Sequence, residues 1–228
     1  MNHHFQWDRE RIRFFCDAAQ NSAFHRTLAA LLAAEIEQND RVLDAGCGLG
    51  YLSEALLPYC KTVTAVDCDP LAIEALQERT HGNTCLRAIC ADVHTLQTTF
   101  DVVVCCYFGS TQEALRLLKR THAHKLLLIK RKLPAHRFRT DLPEHERTAL
   151  AASRILDESG CSYQSFDASI TFDQPFRSLS DAARFFSLYR GEAVSEEAAR
   201  HLCEETGDAV FPYRLPVTND MRIFTVLS

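Results

Sequence analysis

Three glycines in five residues, Gly46, Gly48 and Gly50, stand between two short apolar runs, and no other feature of this chain constrains its folding as much. The first run is Val42-Leu43-Asp44-Ala45, and the second closes on Ala65-Val66-Asp67-Cys68-Asp69-Pro70. Runs of this length between turn residues read as buried strands. Glycine lets the backbone turn sharply and lets a ligand approach it closely. The apolar spacing from Tyr51 to Tyr59 predicts a helix opening on the turn, with its free N–H groups and positive dipole end facing whatever binds there. A buried strand, a glycine turn, a helix and a second strand ending in a carboxylate make a nucleoside-binding half-fold.

The flanking sequence extends this unit in both directions. Asp8 is a predicted N-cap for a helix over 8–20 that carries Ile12, Phe15, Cys16 and Ala19 on one side. Residues 22–37 repeat the pattern with Phe24, Leu28, Leu31, Leu32 and Ile36. Strands are predicted at 41–45, 62–67, 84–90, 101–106 and 125–129. The helix after the second strand has Asp69 as N-cap and Pro70 at its first position, and His81-Gly82 stops it. Another helix covers 112–120. Such alternation implies parallel pairing with right-handed crossovers.

Beyond Pro134 the reading gives a helix over 143–158, a sixth strand over 162–172 and a last strand over 221–227. Between these strands, Ser178-Leu179-Ser180-Asp181 has capping-box form and Ser195 opens a helix stopped by Gly207. The expected fold is therefore α/β: a Rossmann-like, doubly wound, mostly parallel seven-stranded sheet with helices on both faces. It forms one domain, with N-terminal helices in 1–38, a sheet core in 39–175, a helical insertion or lid in 176–210 and the final strand in 211–228.

Composition narrows the functional classes. No apolar stretch approaches the roughly 20 residues that span a bilayer, and Met1-Asn2-His3-His4 leads into a charged segment rather than a secretory core. A cytoplasmic, non-membrane protein is expected. The ten cysteines are scattered singly, and several (Cys47, Cys68, Cys90, Cys105, Cys106) fall in or beside predicted buried strands, so they read as reduced core thiols. None has Cys-x-x-Cys spacing or belongs to a Cys/His cluster, and no metal site is expected. The net charge is −5, yet Arg116 to Arg139 holds nine Lys/Arg and no acid. This basic run either attracts an anionic partner or forms a solvated face.

The spacing within the turn discriminates between ligands. A dinucleotide site uses Gly-x-Gly-x-x-Gly around a pyrophosphate; here the pattern is Gly-x-Gly-x-Gly, with Tyr51 at the third dinucleotide position and Asp44 just before the turn. A carboxylate there repels a pyrophosphate and suits a ligand bearing ammonium and sulfonium charges. Residues from about Arg41 to Lys130 resemble the class I S-adenosylmethionine-dependent methyltransferases, on the segment Val42 to Leu52, the acid Asp67 and the Cys90-Ala91-Asp92-Val93 segment.

The resemblance implies S-adenosylmethionine as cofactor and S-adenosylhomocysteine as product. It implies that Asp44 and the backbone of Gly46, Cys47, Gly48 and Gly50 hold the methionine part. By the same resemblance Asp67 accepts from the ribose hydroxyls, Cys68 flanks the adenine and Asp92 accepts from its amino group. Tyr51, Leu52, Ala91, Val93 and Cys106 complete the implied set. The segment Cys105-Cys106-Tyr107-Phe108 lacks the Asn/Asp-Pro-Pro-Tyr/Phe element of base-amino methylation, which argues against a nucleic-acid acceptor. The Pro-Gly-Gly turn common before the fifth strand is missing too, which leaves the substrate subgroup open.

Ligands of open α/β sheets sit beyond the C-terminal strand ends. Tyr107 and Phe108 occupy that position for the fourth strand, as acceptor-positioning groups or as plain edge packing. Lys130, Arg131 and Lys132 occupy it for the fifth, gripping a substrate anion or simply facing solvent. Phe5, Trp7, Phe14, Phe185, Phe186 and Tyr189 are candidates for an aromatic lid, with core packing the alternative. His94 and His136 are general-base candidates, against the plainer reading of exposed histidines. Methyl transfer is an in-line displacement on an already activated donor, so alignment dominates and no catalytic residue follows from the sequence. The expected function is methyl transfer to a small, anionic molecule. The alternatives are an RNA or protein methyltransferase docking through 116–139 and a non-catalytic cofactor-binding protein.

Overall fold

The computed structural model describes residues 5–132 and 148–228. His136, the start of the helix expected from Pro143 and the end of the basic run lie outside the described residues. The chain opens with α1 (Arg9–Gln20) and α2 (Phe24–Leu32), then β1 (Arg41–Ala45), α3 (Tyr51–Leu56), β2 (Thr62–Asp67), α4 (Pro70–Arg79) and β3 (Leu86–Cys90). It continues with β4 (Val102–Cys106), α5 (Thr111–Arg120), β5 (Lys125–Arg131), α6 (Ala149–Glu158) and β6 (Tyr163–Thr171). The C-terminal part holds β7 (Gln174–Phe176), α7 (Leu179–Arg190), α8 (Glu196–Leu202), β8 (Glu204–Glu205), β9 (Tyr213–Leu215) and β10 (Thr218–Leu227).

Seven strands form one sheet in the order β3-β2-β1-β4-β5-β10-β6. The first five run parallel, while β10 inserts antiparallel between β5 and β6. The chain order reverses between β1 and β4, and at such a switch point the strand ends leave a crevice for ligands. Side chains alternate across the sheet. Val42, Val63, Val104, Leu127 and Ile129 join Leu28, Leu32, Leu52 and Leu56 in one apolar layer. Leu43, Val66, Val103, Leu126 and Leu128 meet Leu117, Leu118, Ala152 and Leu156 in the other.

Local chemistry sets the helix starts. Asp8 accepts from Arg11 N–H at 2.7 Å, Asp69 from Leu71 N–H at 2.9 Å, and Ser110 with Glu113 forms a reciprocal capping box. The box expected at Ser178 is only half formed. Ser178 accepts from Asp181 N–H at 3.0 Å, but the Asp181 carboxylate takes Arg177 N–H and the Arg13 guanidinium instead of reaching back.

Some boundaries differ from expectation. The helix after the glycine turn is α-helical only to Leu56 and finishes as a tighter turn through Pro58, whose missing N–H cannot continue an α-helix. The helix after Ser195 ends at Leu202, ahead of the predicted stop at Gly207, because the chain extends at Cys203 and pairs as β8 with β9. The three-stranded sheet β7-β9-β8 was not predicted. Together with α7, α8 and α1 it encloses a separate apolar core of Phe14, Phe176, Phe185, Phe186 and Ala199. Phe14, Phe185 and Phe186 are thus core residues, correcting their candidacy as lid. Among the described residues, no helix is long and apolar enough to cross a membrane.

Candidate active site

The glycine turn is tied down from three sides. Gly46 and Cys47 donate their N–H groups to Val66 O at 2.8 and 3.1 Å, anchoring the turn to β2. Asp67 accepts from Gly48 N–H at 2.8 Å through one oxygen and from Asp69 N–H at 2.9 Å through the other. From α4, Arg79 donates to Leu49 O at 2.5 Å and to Glu54 at 2.7 Å, with its guanidinium 4.0 Å from the centre of the Tyr51 ring. Gly46 has φ +68°, and a Cβ there would lie 2.0 Å from the Phe108 ring. Glycine is required at this position by both backbone and space.

Beside the turn lies a cavity of about 520 Å³, within the range of small-ligand sites. Asp44, Gly46, Cys47, Gly48, Gly50, Tyr51, Leu52, Asp67, Cys68, Ala91, Asp92, Val93 and Cys106 all line it. Sequence positions spread over four strands are brought to one crevice because β1 to β4 end on the same side. Asp92 caps the short turn after β3, accepting from His94 N–H at 2.9 Å through one oxygen only. Two of the expected thiols are not core groups: Cys68 and Cys90 are exposed at strand ends, although all ten cysteines are free.

Asp44 is the electrostatic centre. It is 2 % exposed and accepts from Ser53 Oγ at 2.5 Å. Burial raises its carboxyl to about 6, opposed by the Ser53 hydrogen bond and reinforced by the nearby Asp67 charge. Burial likewise pushes the thiols of Cys47 and Cys106 far up and that of Cys105 to about 12, so these sulfurs stay protonated.

Tyr107, Phe108, Arg131, His94, Phe5, Trp7 and Tyr189 also line the cavity. Tyr107 has φ +55°, a strained conformation for a residue with a Cβ, and its hydroxyl reaches Met221 Sδ at 3.7 Å. Trp7 N–H donates to Asp69 at 3.0 Å, latching the N-terminal segment onto the start of α4. Lys130 is a correction. Strand β5 runs two residues past its apolar stretch, so Lys130 sits inside the sheet at 1 % exposure and does not line the cavity. Its ammonium donates to Gly109 O at 2.7 Å and Phe108 O at 3.3 Å, bracing the β4–α5 turn. Lys132 also points elsewhere, pairing with Asp167 at 2.8 Å.

Replacing Lys130 by methionine is expected to lower stability by about 1–3 kcal/mol, since two carbonyls lose a charged donor. A urea titration checks this; an unchanged midpoint would contradict the bracing role.

Sequence reasoning missed Phe15, His25, Glu113, Phe172 and Asn219 on the cavity wall. All five come from segments remote from the glycine turn. For Asn219 a signal was present: it shares the alternating face of β10 with Met221 and Ile223, a polar residue in a buried apolar row.

Known proteins resemble this chain in sequence over its first half and in overall fold. The family described as "Methyltransferase domain" matches residues 42–124. The mitochondrial ubiquinone biosynthesis O-methyltransferase of Schizosaccharomyces pombe is 39 % identical over 71 residues, covering 28 % of this chain and 26 % of that protein. Ribosomal RNA small subunit methyltransferase A of Thermobifida fusca is 50 % identical over 44 residues, 19 % of this chain and 15 % of the relative. The matched stretch thus spans about a quarter or less of these two curated relatives.

Among solved structures, the YcgJ protein of Bacillus subtilis superposes with a TM-score of 0.58 at 17 % identity, covering 90 % of this chain and 98 % of that one. Magnesium protoporphyrin IX methyltransferase of Synechocystis PCC 6803 with bound S-adenosylhomocysteine gives 0.51 at 16 % identity, covering 99 % and 90 %. At these identities the structural likeness is one of fold. With its glycine turn, its switch-point crevice and its reversed seventh strand, the chain has the Rossmann-like fold of these structures, and its residues 42–124 match the methyltransferase-domain family.

Proposed function

We propose that this chain transfers a methyl group from S-adenosylmethionine to a small-molecule acceptor. The observation that carries the reading is one cavity with two chemically different ends, a carboxylate-lined crevice at the glycine turn and an aromatic-walled space beside it.

The residues fit the cofactor. Asp44 offers a buried carboxylate to its ammonium and sulfonium charges. Asp67 already accepts one backbone N–H on each oxygen, and each oxygen keeps lone-pair capacity for a ribose hydroxyl. Asp92 keeps an oxygen for the adenine amino group. Cys68, Ala91 and Val93 flank the base, and Cys47, Tyr51, Leu52 and Cys106 surround the remainder. The bound cofactor supplies an activated methyl on sulfur. What remains for the protein is alignment and exclusion of water. Phe5, Trp7, Phe15 and Tyr189 serve the second task by presenting apolar surface to the cavity.

Among the described residues of the basic run only Arg131 reaches the cavity, which disfavours docking of RNA. Helix α5 has its N-terminal end at the cavity, through Glu113, whereas Lys119 and Arg120 stand in its last turn, about 10 Å farther along the axis. Lys125 pairs with Glu35 at 3.2 Å, and Lys132 with Asp167.

Calorimetry with S-adenosylhomocysteine tests the reading, followed by methyl transfer from labelled cofactor to a panel of small acceptors. One-to-one binding and transfer that is insensitive to salt are expected. Absence of binding at about millimolar ligand, an affinity weaker than roughly −4 kcal/mol, would overturn cofactor use. Transfer confined to RNA, with binding falling steeply in salt, would overturn the small-molecule acceptor.

A further inference from the structure

We propose that Asn219 and Arg131 form a carboxylate-binding end of this cavity, so that the methyl acceptor is an apolar molecule carrying a carboxylate. The inference rests on the methyl-transfer reading and names the acceptor class for the same site.

Asn219 is 8 % exposed and lines the cavity, and its Nδ2 has no hydrogen-bond partner among the described residues. Its neighbours on the buried face of β10 are Met221 and Ile223, and across the strand pair it faces Ile170, all apolar. A buried amide left unpaired costs about 1–3 kcal/mol, a cost that a ligand acceptor removes on arrival. Arg131 ends β5 directly opposite Met221, so it shares the face of Asn219. Asn219 lies two residues farther along β10, about 7 Å at the usual strand rise. The long Arg131 side chain and the Asn219 amide N–H₂, set diagonally on one face of the sheet, can converge on the two oxygens of one carboxylate.

The surroundings supply the apolar body. The Arg131 guanidinium lies 4.6 Å from the centre of the Tyr107 ring, and the Tyr107 hydroxyl is turned to Met221, so Tyr107 contributes a flat wall. Phe15 and Phe172, with ring centres 5.5 Å apart, line the same space. Charge within the cavity is segregated. Asp44 lies on β1, three strands from β10 in the sheet order, a distance of about 14 Å. Asp67 and Asp92 follow β2 and β3, farther still from β10 in the sheet order, and the fourth carboxylate on the wall, Glu113, is held by the Ser110 N–H and hydroxyl at 2.7 and 2.9 Å. A cationic donor therefore meets acids at one end and an anionic acceptor meets donors at the other.

The test titrates protein saturated with S-adenosylhomocysteine with naphthalene carboxylate and, separately, with its neutral carboxamide. The carboxylate is expected to bind at least about tenfold more tightly, and Arg131→Gln to erase that preference. Asn219→Asp, nearly isosteric but charged, should weaken the carboxylate by about tenfold or more and the carboxamide by no more than about threefold. Both variants should hold S-adenosylhomocysteine as the wild type does, which shows that they fold. Equal binding of the two probes, a preference that survives either substitution, or no carboxylate binding to the saturated protein overturns the inference. Failure of S-adenosylhomocysteine to bind the wild type is a different result, and it overturns the methyl-transfer reading on which the inference stands.

Discussion

Gly46→Ala is expected to lose about 2–5 kcal/mol of stability and to abolish cofactor binding, whereas Gly82→Ala loses only about 1–2 kcal/mol and binds normally. Both glycines have positive φ, +68° and +81°, so both substitutions carry the left-handed penalty of an L-residue. They differ in what the new methyl meets. At Gly82 no atom of the described residues lies within 4 Å, while at Gly46 the Phe108 ring lies 2.0 Å away and is itself fixed by the turn that Lys130 braces. Relief requires moving either the turn, with its bonds to Val66 and Asp67, or the cavity wall. Urea unfolding midpoints and S-adenosylhomocysteine titrations of the two variants check this. Equal losses at the two positions would mean that the turn is not closely packed.

Asp44 should make cofactor affinity fall as pH falls through 6. Its carboxyl titrates near 6 in the folded protein against 3.8 for an unperturbed aspartate, a difference of roughly 3 kcal/mol. Because the folded value is the higher one, the ligand-free protein is penalised in full above about pH 6, and the penalty disappears below about 3.8. The cationic ammonium of the cofactor reverses the preference, favouring the ionised form.

Below pH 6, binding must therefore expel a proton, and the affinity for S-adenosylhomocysteine should drop by up to about tenfold per pH unit. Asp44→Asn is expected to weaken binding at neutral pH by about a hundredfold, to remove its share of the pH dependence and to raise the unfolding midpoint of the ligand-free protein. A pH profile unchanged by the substitution would contradict the assignment.

Local signals explain what was legible in the sequence. β1, the glycine turn, β2 and the start of α4 were readable because apolar runs, glycine spacing and the Asp69-Pro70 pair act within a few residues of where they stand. Four kinds of feature escaped. Strands β7, β8 and β9 have two or three residues each, too short for any periodicity. Lys130 reads as following β5 because a buried lysine interrupts the hydropathy run, yet hydrogen bonding carries the strand on to Arg131. Aromatic residues at helical spacing identify a face but not its partner. Phe185 and Phe186 therefore read as lid and pack as core, while Trp7 and Tyr189 from the same candidate set reach the cavity. His25 and Asn219 join the wall only through pairing between distant segments.

A crystal structure of this chain with S-adenosylhomocysteine bound tests the cofactor assignment most directly. The amino group is expected at Asp44, the ribose hydroxyls on Asp67, the adenine amino group on Asp92 and the sulfur facing the space between Tyr107 and Asn219. A nucleoside bound elsewhere, or reversed so that adenine lies against Asp44, would contradict it.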